Sequence, residues 1–262
     1  MSKFDSALQK TERAKFHIQN LQSAVRAFHE TKPYKIGTKR DPQTRKLIYH
    51  VLEVTPVPGH VAVILGDALQ NLRTSLDHVA HQLWRDAGHR GDGRHVQFPI
   101  AADAAKYVTQ SPRMVEGIGQ PAVDAIRSLE PYKGGNGAYS DALWRLNQLN
   151  NIDKHRLLIT VGSAFQSVNL GAVLSAKMAS FTGKPVPIID AFFRPADRLC
   201  PLKAGDELYI TGPDEPNENP QFRFNVALNE PGVVDAQPFE EVLIESVQAV
   251  DGVIAKLTPL LS

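Results

Sequence analysis

The stretch GDALQNLRTSLDHVAHQLW, Gly66 to Trp84, decides the fold, because its apolar residues recur at helical spacing. With successive residues about 100° apart around a helix axis, Leu65, Leu69, Leu72, Leu76, Val79 and Leu83 form one broad apolar face. Asp67, Asn71, Thr74, His78 and His81 fall within roughly 40° of a single line on the opposite side. An idle solvated face would be filled with Lys, Glu, Gln and Arg, which are good helix formers. Asp, Asn, Thr and His are weaker ones, so the line is a candidate site.

Working outward, SALQKTERAKFHIQNLQSAVRAFHE predicts a first long helix, stopped at Lys32-Pro33. Residues 34–57 predict a β-hairpin turning at Asp41-Pro42, with Lys39, Arg40, Arg45 and Lys46 at its tip and Lys35 behind. Those cations suit either phosphate or plain solvation. After the central helix comes the glycine-rich GHRGDGRHVQFPI, carrying His89, Arg90, Arg94 and His95, a lid or an ordinary connection. Two short helices over 101–107 and 115–129 carry no evident chemistry.

Ser140 is read as the N-cap of a further helix, DALWRLNQLNNIDKHRLLI, whose Asn147, Asn151, Lys154 and His155 make a second polar stripe. If the two helices meet across their polar faces, Asn71, His78 and His81 join Asn147, Asn151 and His155. Beyond Leu157, ITVGSAFQSVNLGAVLSAKMAS and the runs after it predict strands that form one sheet with the hairpin. Residues 237–261 predict a closing amphipathic helix. The expectation is a single α+β domain over 1–262. Its helices span 3–31, 59–87, 140–156 and 237–261, and a mostly antiparallel sheet comes from 34–57 and 158–230.

The 262 residues include 29 Lys and Arg against 28 Asp and Glu, for a net charge of +1, so no overall basic footprint marks a nucleic-acid binder. One cysteine, Cys200, excludes an internal disulfide framework and a cysteine-based zinc cluster. No signal-like start and no run of ~18 apolar residues occur, so a soluble, cytoplasmic chain with no membrane association is expected.

Arg73-Thr74-Ser75-Leu76-Asp77-His78 sets an arginine five residues before a histidine. In its helical setting this hexad resembles the arginine and histidine motif of HEPN-type ribonucleases. The resemblance implies metal-independent RNA cleavage without a cofactor, in a homodimer, as in toxins and phage-defence effectors. It casts His78 as general base or acid and Arg73 as the phosphate clamp. Asn71, Asp77, Asn151, Lys154, His155 and Arg156 would orient these groups or the RNA. It further implies that His78→Ala and Arg73→Ala abolish cleavage and leave the fold intact. Residues five apart on a helix point about 140° from one another, however, and Asp77 is placed to pair with Arg73. Two other readings stand beside this one. Asp67, His78, His81 and His155 could gather a metal, or the polar stripes could be an interface in a non-enzymatic interaction module.

Overall fold

The protein is described here from a computed structural model covering residues 4–155, 159–187, 190–194, 199–213 and 220–261. In chain order its elements are α1 (Asp5–Glu30), β1 (Tyr34–Arg40), β2 (Lys46–Val54), α2 (Gly59–Asp86), α3 (Ala104–Met114), α4 (Gln120–Arg127) and α5 (Ser140–His155). There follow β3 (Val161–Asn169), α6 (Gly171–Thr182), β4 (Phe192–Phe193), β5 (Glu207–Pro213), β6 (Gln221–Glu230), β7 (Val234–Pro238), α7 (Phe239–Leu257) and a final 3-10 turn, Thr258–Leu260. The chain is α+β, and the four long helices fall where the apolar spacing put them. No helix among the described residues is long and apolar enough to cross a membrane.

Helix α2 is the spine. Its six periodic apolar residues are all buried and pack in one cluster with α1, α4, α5 and α7. Each such leucine stabilises by about 1.5–3 kcal/mol relative to an exposed one. Small residues let α1 lie close along α2: Ala7, Thr11 and Ala14 are buried, Ser75 Oγ donates to the Ala7 carbonyl (2.9 Å), and Thr11 and Ser75 share a hydroxyl contact at 3.0 Å. Lys10 meets Asn71 while His17 approaches Asp67, so the two helices run antiparallel.

The strands divide between two antiparallel sheets, ordered β1-β2-β5 and β4-β3-β6-β7, and do not join the single sheet expected from the sequence. The hairpin finds its third strand in β5, while the two sheets meet face to face. Tyr34 packs against Phe224 with tilted rings whose centroids are 4.3 Å apart, and donates its hydroxyl to Ser163 Oγ (3.0 Å). Face-to-face packing removes both apolar surfaces from water, which an edge-to-edge merger would leave half exposed.

Residues 171–182, expected as strand, form α6. The run is rich in Ala, Leu, Met and Lys, which favour helix, and Gly183 ends it in the left-handed region at φ 67°. Ser140 is also not the expected cap: it is the first residue of α5, is buried, and donates to the Leu129 carbonyl (3.0 Å).

Tyr139 locks α5 onto α7, where Gly252 leaves room for its ring. A Cβ at Gly252 would sit 2.4 Å from Tyr139 Cε2. Although alanine in a helix gains about 1 kcal/mol over glycine, the overpacking cost of about 1–3 kcal/mol should prevail. Gly252→Ala is therefore expected to destabilise the protein by up to about 2 kcal/mol in chemical denaturation, and a stabilised variant would contradict the packing described.

Candidate functional site

The polar line of α2 lies between the α1 contact on one side and a segment around Phe98 on the other. Asp67 is exposed, and Asn71, Thr74, His78 and His81 are half-buried. Asn71 donates to the Asp67 carbonyl (2.8 Å), and Gln70 donates to Thr74 Oγ1 (3.2 Å). Nδ1 of His78 is enclosed and has no hydrogen-bond partner among the described residues. That is the polar atom on this line whose needs the chain leaves unmet.

Helix α5 does not cover the line. It meets α2 on the adjoining side, where Asn147 accepts from Arg73 and the Asp153 carboxylate lies against Gly66. Asn151, Lys154 and His155 are exposed, and no hydrogen bond joins them to Asn71, His78 or His81 among the described residues. The six-residue meeting of stripes, one of the packings the sequence left open, therefore does not form; α5 contributes Asn147 and, at the Asp67 end, a group of exposed polar side chains. Arg156 lies outside the described residues.

Arg73 faces inward and is 8 % exposed. Its Nε donates to Asn147 Oδ1 (3.0 Å), one terminal nitrogen to Asp77 Oδ1 (2.6 Å) and the other to the Phe98 carbonyl (3.0 Å). Asp77 Oδ1 also accepts from the Phe98 amide (3.0 Å). The guanidinium thus joins α2, α5 and the Phe98 segment at one point, using its fork of donors on three acceptors. In this arrangement Arg73 is a positioning residue.

What it positions is a basic wall. Upstream of Phe98, Gln97 donates its amide to the Met114 carbonyl (3.0 Å), and Val96 donates to the Gly93 carbonyl (2.9 Å). Gly93 has φ 53° and lies so near α2 that a Cβ there would stand 3.1 Å from His81 Nε2 and from the Trp84 ring. Trp84 collects three imidazoles: His89 is stacked on it at 5.0 Å, His81 is tilted at 5.6 Å and His95 is edge-on at 6.3 Å. Between this wall and α3 runs an open groove of about 450 Å³ lined by Arg94, His95, Gln97, Thr109, Gln110, Arg113 and Met114. The sequence signalled only its loop side; the α3 residues had no periodic or motif signal to mark them.

At the other end of the line, burial and then the neighbouring Asp67 carboxylate push Asp153 above the ordinary carboxylate range. Burial and then the Arg13 charge lower the His17 pKa, against the opposing pull of Asp67. No three His, Cys, Asp or Glu side chains converge to hold a metal among the described residues, so Asp67, His78, His81 and His155 do not form the cluster of the alternative metal reading. Along the hairpin, Lys35 pairs with Glu53 at the base, Lys39 pairs with Glu207 (3.0 Å), and at the tip Arg40 donates to the Arg45 carbonyl (2.7 Å). That face is partly neutralised. Burial pushes the Cys200 thiol up to about 11, which leaves it protonated and inert near neutral pH.

No protein-family model, curated protein or solved structure matches the chain.

Two outcomes follow. Arg73→Ala strips three acceptors of their donor and is expected to destabilise the fold by on the order of 3 kcal/mol, with Arg73→Lys a poor substitute because it lacks the fork. Urea denaturation with unchanged stability in both variants would show that the junction is not structural. Asp153 is raised in the folded state, so the native protein binds the extra proton; stability should fall as pH rises through and above the ordinary carboxylate range. Asp153→Asn should flatten that decline in the urea midpoint, and an undiminished decline would place its origin elsewhere.

Proposed function

We propose that this chain is a metal-independent, HEPN-like endoribonuclease acting as a homodimer in the cytoplasm, of the kind used in toxins or phage defence, with His78 as its proton-transfer group. The observation that carries this is His78 itself, half-buried on the polar line of α2, with its enclosed Nδ1 lacking a partner among the described residues. A histidine exchanges protons near neutral pH without cofactor or metal. His78 takes the proton of a ribose 2′-hydroxyl; the oxygen attacks the adjacent phosphorus, a 2′,3′-cyclic phosphate forms, and the 5′-oxygen leaves as it is protonated. In this reading His81, one turn along the same helix, supplies that proton. Arg73 and Asp77 hold the frame, and Asn71 lies within the line to orient substrate. Lys154 and His155, exposed near its Asp67 end, are left for phosphate contacts.

A second reading is favoured by the engagement of Arg73. Each of its three nitrogens already donates, to Asn147, Asp77 and Phe98, and the side chain is buried, so it presents little to a phosphate. On that reading the polar line is an interface in a non-enzymatic interaction module.

Cleavage of a mixed RNA panel by wild type, His78→Ala and His81→Ala, each with and without EDTA, separates the two. Loss of cleavage in His78→Ala by about 100-fold or more, the scale of general acid–base catalysis, with full activity in EDTA, is the expected result. Absence of cleavage by wild type under every condition, with altered self-association in His78→Ala, would instead establish the interface.

A further inference from the structure

Resting on the ribonuclease reading above, we propose that the groove between residues 93–97 and α3 holds the phosphodiester backbone of the RNA, with Arg94 and Arg113 as its phosphate contacts. Four observations point there. The lining has two arginines, a histidine and neutral hydrogen-bonding side chains, and no carboxylate. Arg113 makes no ion pair among the described residues, and Arg94 meets only Asp92, through Nε at 2.8 Å, in a pair exposed to solvent at both ends. Water screens such a pair, and a phosphate competes with it directly.

The volume, about 450 Å³, falls within the range of small-molecule sites and suits a nucleotide unit. The wall is also preorganised: it is fixed at Phe98 by Arg73 and Asp77, at Gln97 by the Met114 carbonyl, and at Gly93 by contact with His81 and Trp84. A wall already in place loses little conformational freedom on binding. Finally, the groove adjoins the candidate chemistry. Gly93, which opens the segment bearing Arg94 and His95, lies against the His81 ring, so a strand leaving the groove passes onto the polar line of α2.

The groove offers no exposed Phe, Tyr or Trp on which bases could stack. Recognition is therefore of the backbone, with little base preference, and it must be salt-dependent. Removing one phosphate contact on a single strand lowers the slope of log affinity against log salt by about 0.7.

The test uses fluorescence anisotropy with a labelled 2′-O-methyl oligouridine, which carries the phosphodiester backbone but cannot be cleaved. Wild type, Arg94→Gln, Arg113→Gln, the double variant and Arg26→Gln, a control on the exposed face of α1, are titrated over a range of salt, with circular dichroism confirming the fold. The double variant should bind about tenfold or more weakly at low salt and lose about 1.4 from the salt slope, while Arg26→Gln matches wild type. Wild-type binding with unchanged affinity and slope in the double variant would overturn the groove and leave the role of His78 standing. Weakened binding in the double variant together with no cleavage by wild type would sustain the groove and overturn the ribonuclease reading. Absence of binding by wild type at any salt would overturn the groove outright.

Discussion

The Arg73 guanidinium is the constraint on which the arrangement of the site depends. A buried cation is tolerated only where its donors are satisfied, and here an amide, a carboxylate and a backbone carbonyl from three separate parts of the chain do so. Because the fork is planar and its donors are fixed in direction, the three partners must come to it. Asp77 completes the junction by accepting from the Phe98 amide as well as from Arg73, so the Phe98 peptide is gripped at both its donor and its acceptor. The Phe98 side chain is fully buried in the main core, which makes the same residue an apolar anchor and a polar one.

That junction links the helical core to the surface. On its inner side α2 is held by apolar packing with α1, α5 and α7, which is strong and non-directional. On its outer side the position of the 93–98 segment is set by a few directional bonds and by the close approach of Gly93 to His81 and Trp84. Apolar burial supplies the stability, and the polar junction decides which surface residues end up beside the α2 line. Nδ1 of His78 sits at this boundary, enclosed and without a partner among the described residues.

Much of this was legible in the sequence, and the reasons for what was not are physical. The spine helix, its buried face and its polar line followed from a 3.6-residue period that nothing else in the chain contradicts. The division into two sheets could not be read, because strand periodicity reports which face is apolar and not which other face it will meet. Helix α6 was misread because its small and apolar residues, flanked by β-rich runs, blurred its good helix propensity; Gly183 was the available stop signal. In the site, Asn71, His78 and His81 lie on the line where they were placed, whereas Asn151 and His155 turn to solvent because α5 crosses α2 by way of Asn147 and Asp153. Arg113 and Gln110 acquire meaning only when the chain folds α3 against residues 93–97, a long-range consequence that no local pattern announces.

The hexad Arg73 to His78 sends one side chain inward and another outward within a turn and a half of helix. Five residues on an α-helix turn the direction of the side chain by about 140°, and here that angle is used in full: Arg73 enters the junction while His78 stays on the accessible line. The two cannot serve one phosphate without distorting α2, which is regular through this region. If His78 transfers a proton during phosphodiester cleavage, the charge that gathers on the phosphate must be met by cations other than Arg73. The wall that Arg73 itself fixes presents Arg94 and His95, and α3 opposite presents Arg113. On that reading the arginine of the hexad acts at one remove, by fixing the segment from which Arg94 and His95 project.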